Sequence, residues 1–299
     1  MISIYEIAAL TTAFLWACGS MIAAYSVKQM GSFAFNKYRL TIAFMILILI
    51  NLAIGQWRYY PTEFIPMVLV SGFVGIFMGD AVLFAGIRRL GARRSSVIFA
   101  MNAPFTAILG YFFLNEKLNI LEIAGITVAI IGVILAIVFG KRKSTLSKWE
   151  DVISPLWVGV VLCLLGALGQ SVGSIVIRPV MDSGVDPFPT AALRVGIAAL
   201  AFLAISAALP KATKPENPVT PRILMLVVAT ATIGMVVGMT LILFAFSGTS
   251  STGIIATLSA TTPVMVLPMV WIMSKEAPAL GAWIGAALVV VGSSLIFMA

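Results

Sequence analysis

The chain contains no histidine and only two cysteines, Cys18 and Cys163, in 299 residues. Without imidazoles, and with two thiols far apart inside apolar runs, it offers neither a zinc or haem ligand set nor a disulfide framework. The cysteines read as small buried packing residues. Charge is scarce too. Asp, Glu, Lys and Arg make up 10% of the residues, against about a quarter in a water-soluble domain. No acid pair, Ser–His arrangement or Lys-paired Ser falls within the apolar runs, so intramembrane enzyme chemistry has no evident base. No metal, no cofactor and no catalytic residue is expected. Long polar stretches are also missing: the longest are 141–151 and 210–220. That excludes a soluble domain, and it makes the net charge of +8 a matter of topology and anionic lipid rather than of nucleic acid.

What is present is apolar: 61% of the residues are hydrophobic and the mean hydropathy is +1.10. Runs of about 20 apolar residues recur along the chain, each long enough to cross a bilayer as a helix. The first lacks a basic n-region and the pattern continues beyond it, so it is expected to stay as a span rather than be cleaved. Ten spans are expected: 5–27, 33–55, 64–87, 95–114, 119–139, 153–177, 188–209, 221–246, 251–273 and 279–298. Gly31-Ser32, Gly91, Asn115 and Gly248 punctuate them as turn formers.

The chain writes one pattern twice. Pro104, Glu116, Gly125 and Gly132 are echoed by Pro263, Glu276, Gly285 and Gly292, with identical spacing from Glu to both glycines and one residue of slip between Pro and Glu. Upstream, Gly75-xxx-Gly79 is echoed by Gly234-xxx-Gly238, Phe84-Ala85 by Phe244-Ala245, and Arg39 by Arg194. The expected organisation is a first five-helix repeat at 1–140, a basic linker at 141–151 and a second repeat at 152–299. An odd number of spans per half inserts the halves from opposite sides. The fold class is therefore all-α integral membrane, with ten transmembrane helices as two inverted repeats around a central cavity, an arrangement suited to alternating access.

Fifteen of the nineteen basic residues fall at odd-numbered connections: Lys28, Lys37, Arg39, Arg88, Arg89, Arg93, Arg94, Lys141, Arg142, Lys143, Lys148, Lys211, Lys214, Arg222 and Lys275. Arg58, Lys117 and Arg178 fall at even ones, and Arg194 lies within a span. By the positive-inside rule the odd connections face the cytoplasm and both termini face out.

The residues resemble the drug/metabolite transporter superfamily in its ten-helix EamA-type branch. The resemblance rests on Ala13-Phe-Leu-Trp16-Ala-Cys-Gly19-Ser20, Phe35-Asn-Lys-Tyr-Arg39, the run from Asp80 through Arg88 to Gly91, Asn102-Ala-Pro104 and Leu114-Asn-Glu116-Lys-Leu. The second copy keeps Pro263, Glu276 and Gly285 but has Ser274-Lys275 where the family usually places Gly before Glu. The resemblance covers almost the whole chain. It implies two bundles around a central cavity, export of small metabolites such as amino acids, coupling to a gradient, and a multi-pass inner membrane of a prokaryote. It also implies cytoplasmic termini, opposite to the loop charges.

Asp80 is the one acid deep within a span. It is either a proton-coupling carboxylate or a partner that ties helices together, with Arg39 or Arg194 as its counterion. Arg39 and Arg194 either bind a substrate carboxylate or snorkel to the headgroups. Trp16 and Ser20, four apart on one helical face, join Asn102, Gln170, Ser171, Ser174, Ser259 and Thr261 as candidate cavity residues. Pro104 and Pro263 each remove a helical hydrogen bond and are expected to kink a helix and shape or gate the cavity. Glu116 and Glu276 read as helix caps. The repeated glycines read as close-packing faces within the chain, or as a dimer seam through spans five and ten, leaving monomer or homodimer open. Three functions remain: a secondary exporter of small polar or amphipathic metabolites, a proton-coupled cationic-drug antiporter, or a non-transporting accessory subunit of a lipid-carrier flippase. Its partners are a small-molecule substrate and the lipid bilayer.

Overall fold

A computed structural model describes residues 3–113, 118–139, 155–248, 258–275 and 277–297. Their regular structure is all helix, with no strand among the described residues. Helices α1 (Ile4–Met30) and α2 (Ser32–Ile54) form the first two spans. The third begins as α3 (Ile65–Ser71), passes through a π-helical stretch (Gly72–Met78) and continues as α4 (Gly79–Phe99). The fourth and fifth end in α5 (Asn102–Phe113) and α6 (Ile120–Val138). In the second half, α7 (Leu156–Asp182) and α8 (Pro187–Ala208) are followed by α9 (Pro221–Thr230), a second π-helical stretch (Ala231–Gly238) and α10 (Met239–Phe246). The last two described helices are α11 (Thr262–Ser274) and α12 (Leu280–Phe297). Glu116, Glu276, the basic junction 141–151, Asn115 and residues 251–257 of the ninth span lie outside the described residues.

Helix starts follow local chemistry. Ser3 and Glu6 form a reciprocal capping box on α1, and Asn119 and Glu122 do the same on α6, each satisfying backbone N–H groups that have no partner inside the helix. Asp186 accepts from the Phe188 N–H at the start of α8, ahead of Pro187 in the first turn. The described cap of the fifth span is thus Asn119.

Four antiparallel helix pairs bind the halves together. Along α6 and α12, Gly125 lies against Gly292 and Gly132 against Gly285; Cβ atoms built on these glycines would fall 2.5–2.7 Å from the facing carbonyl oxygens. The heptad glycines therefore close a seam within the chain, which removes them as a surface for a second copy. In the third and sixth spans Gly75 meets Gly173, Gly79 meets Gly169 and Gly86 meets Cys163. Close backbone approach of this kind takes the place of hydrophobic packing inside lipid. In α2 and α8, Asn51 donates to the Phe188 carbonyl (3.2 Å) and Lys37 donates to Ser206 Oγ (3.0 Å). Helix α1 runs against the eighth span from Tyr5–Phe244 to Trp16–Gly234. Helix n of one half thus lies antiparallel to helix n of the other for the second and fifth spans, as an inverted repeat requires.

Three sequence expectations are corrected. The third and fourth spans are not separated by a loop. The chain turns at Gly91 (φ 78°, ψ 170°) and resumes helix at once, a backbone conformation that only glycine adopts without strain. Arg93 and Arg94 therefore sit in helix, 4% and 5% exposed, rather than in a solvated connection. Pro104 and Pro263 do not kink continuous helices. The chain breaks at Ala100-Met101 and at Ala260-Thr261, and each proline occupies the first turn of the helix that follows, where its missing N–H costs nothing. Finally, Arg39 and Arg194 do not snorkel: they are 4% and 2% exposed.

Candidate functional site

Two cavities lie between the halves, one above the other along the bundle. The first has a volume of 140 Å³ and the second 150 Å³, on a measure by which one water needs roughly 10–15 Å³. Each has room for a small solute rather than a lone water. Trp16, Asn102, Gln170, Met239 and Ser259 line both and form a polar waist between them. The first cavity extends from the waist toward Ile87, Ala92, Ser96 and Phe99, at the end where Gly91 turns the chain. The second extends toward Arg178, Asp182 and Phe246, at the opposite ends of α7 and α10.

The waist is held by the backbone of the helices that cross there. Trp16 Nε1 donates to the Gly234 carbonyl at 3.1 Å, and Thr12 Oγ1 donates to Gly238 O at 3.4 Å. A Cβ on Gly238 would lie 2.8 Å from Trp16 Nε1, whereas one on Gly234 would meet nothing within 4 Å. Gly234-xxx-Gly238 is therefore not a close helix–helix face like its echo Gly75-xxx-Gly79. It makes room for an indole and leaves open space beside it. Across the waist, Ser171 Oγ donates to the Asn102 carbonyl (2.8 Å), tying α7 to the broken start of α5.

Of the expected cavity residues, Trp16, Ser20, Asn102, Gln170 and Ser259 line the first cavity, and Ser174 joins at the second. Ser20 returns its hydroxyl to Ala17 O (2.8 Å). Thr261 lines neither cavity; it bonds Leu258 O (2.7 Å), and its neighbour Thr262 takes the lining position. Ser171 is fully buried in the helix contact rather than in the cavity wall. Pro263 lines the first cavity, and Pro104 is packed away from both.

The charged candidates divide between the cavities. Arg39 and Asp80 line the first and form an ion pair. Arg39 also donates to Asn36 Oδ1 (3.1 Å), and Asn36 Nδ2 donates to the Asp80 carbonyl (3.0 Å). The guanidinium lies 4.3 Å from the Phe84 ring centroid and 5.7 Å from that of Phe35, a cation–π arrangement with weak competition from water. Arg194 lines the second cavity and has a different partner: its Nη1 is 3.4 Å from the Met239 sulfur. Sequence reasoning missed Met239. Its signal was legible, because Met follows Gly234-xxx-Gly238 where Asp80 follows Gly75-xxx-Gly79.

Comparison with known proteins places these cavities in context. The EamA-like transporter family matches residues 3–138 and 157–298. An uncharacterized transporter, YyaM, of Bacillus subtilis is 30% identical over 139 residues, 45% of this chain and 44% of that protein. A probable terminal-alkyne amino-acid exporter of Streptantibioticus cattleyicolor is 26% identical over 150 residues, half of each chain. The chain spans about half the length of these curated relatives. A solved crystal structure aligns with a TM-score of 0.68 at 19% identity, over 97% of this chain and 95% of that one, and shares the fold. Two matched segments that together take in nearly all of the chain, on a ten-span helical bundle, make this protein a multi-pass membrane member of the EamA-like transporter family.

Proposed function

We propose that this chain is a secondary transporter that moves small polar or amphipathic metabolites, amino acids foremost, by alternating access and in the outward direction. The observation that carries the reading is the shared polar waist: two cavities of similar size meet at Trp16, Asn102, Gln170 and Ser259 and extend toward opposite ends of the bundle. A solute bound at the waist is reached from one face or the other as the inverted halves exchange conformations. The working units on this reading are the repeats at 1–140 and 152–299, joined by the basic linker 141–151. The amino-acid exporter among the relatives supports both the substrate class and the direction. Loop charge supports an orientation with the odd-numbered connections in the cytoplasm, so that the first cavity faces inward.

The test is counterflow by purified protein in vesicles of zwitterionic lipid, with a labelled amino-acid panel and with and without a pH gradient. Saturable exchange of at least one amino acid is expected. Absence of flux for amino acids, nucleobases and cationic amphiphiles alike would favour the accessory-subunit reading. A second reading, proton coupling, is favoured by the position of Asp80 in the wall of the first cavity; proton uptake by its carboxylate would have to be linked to disengagement from Arg39, and release of that proton to re-pairing.

A further inference from the structure

Arg39 and Arg194 are the same residue of the two repeats. Each is the eighth residue of its helix, about 10 Å along the axis from the start of α2 or α8. Each reaches the residue that follows a Gly-xxx-Gly at the end of a π-helical stretch: Asp80 after Gly79, and Met239 after Gly238. In the first half that residue is an acid and the guanidinium is neutralised. In the second it is a thioether, a weak acceptor that carries no charge.

Arg194 is consequently left with a deficit. It is 2% exposed, and its Nε and Nη2 have no hydrogen-bond partner. Arg39 also has an unpartnered Nε, but its Nη2 meets both Asp80 and Asn36 and its face is covered by Phe84. The carboxylate that acts on Arg194 electrostatically is Asp80, which spends its hydrogen bond on Arg39. Arg39, Arg194 and Asp80 together carry a net positive charge among themselves, and a buried charge without a counterion is costly. Arg194 forms part of the wall of the second cavity, with Nε and Nη2 buried just behind that wall, so an anion in the cavity pairs with them once the guanidinium turns toward it. A planar guanidinium with free donors matches a carboxylate in two-point geometry.

We propose that Arg194 is the anchor for the carboxylate of the transported solute, which supplies the counterion that Met239 cannot. The site takes small monocarboxylates, amino acids included, and discriminates against their neutral amides. The second half carries the anchor and the first half carries a self-neutralised copy of it. The inference rests on the transporter reading for what happens after binding, but not for binding itself.

The test uses full-length protein in nanodiscs of phosphatidylcholine, which excludes anionic headgroups as the counterion. Thermal stabilisation is measured with the twenty amino acids and with acetate, lactate and benzoate, each against its carboxamide at fixed ionic strength. At least one acid is expected to bind tenfold or more tightly than its amide. Met239→Asp installs the acid found in the first half. It should fold as Arg39 and Asp80 do, and lose that preference. Met239→Asn, which adds polarity without charge, should keep it, and Arg194→Met should lose it. Equal binding of acid and amide, no binding of any acid, or retention of the preference in Met239→Asp would each overturn the proposal. Adding phosphatidylglycerol to the nanodiscs separates the remaining source: competition between this lipid and the solute supports one anion site, while stabilisation by the lipid alone overturns the solute assignment. Binding with no counterflow would leave the anchor standing and sink the transporter reading. Counterflow indifferent to the carboxylate would do the reverse.

Discussion

Asp80 and Arg39 show how much a single buried pair decides. Their side chains are 11% and 5% exposed, so removing one partner leaves the other as an isolated charge in a low-dielectric setting. Such a change costs about 3–5 kcal/mol, while replacing both partners by apolar residues of similar volume is often neutral. Asp80→Asn is therefore expected to lower the unfolding midpoint in detergent strongly, and Arg39→Met with Asp80→Leu to recover most of the loss. If the single and double variants unfold alike, the pair does not hold α2 to α4. The same Asp80→Asn protein tests proton coupling: an unchanged pH response of transport would exclude this carboxylate as the carrier. The sequence identified Asp80 as the acid to watch and named both arginines as partners, but it did not distinguish them. That choice depends on which helix faces lie together, and it became visible only when Phe84 and Asn36 were seen around Arg39.

At the scale of elements, the glycines carried most of what was legible. Equal spacing in the two copies announced paired spans, and α6 and α12 pair through those very residues. A Cβ on Gly285 would lie 2.5 Å from the Gly132 carbonyl oxygen and 2.7 Å from the backbone nitrogen of Ala136. Backbone cannot yield as a flexible side chain does, so Gly285→Val should cost at least the roughly 1–3 kcal/mol of overpacking. The measurement is the thermal midpoint and the monodispersity of the purified variant; a midpoint within a degree of the wild type would show that the seam can part freely. Two element-level features were illegible. Gly234 has the spacing of a packing glycine but serves as a hole beside Trp16, because spacing within one helix says nothing of the size of the residue opposite. Thr261 and Thr262 exchanged roles because the break at Ala260 rotates the following helix, and a one-residue change of phase moves a side chain by about 100°.

For the whole molecule, topology was readable from span number and the cavity was not, since its walls come from helices scattered along the chain. Orientation is directly testable in a cysteine-free background. Lys211→Cys and Arg58→Cys occupy exposed connections of opposite parity. With intact cells, an impermeant maleimide should label Arg58→Cys and spare Lys211→Cys if the loop charges set the topology. The reverse pattern would support the orientation implied by the family resemblance. The two π-helical stretches, Gly72–Met78 and Ala231–Gly238, stand at matching places, just before Asp80 and Met239. A π turn holds one residue more between hydrogen-bond partners than an α turn. Rewinding either stretch by a single residue would exchange one ladder of bonds for another of equal number. It would turn the helix beyond by about 100° and swing Asp80 or Met239 away from its arginine. In each half the thread of the helix is therefore cut where a slip of one tooth would make or break a contact with the charge that faces the cavity.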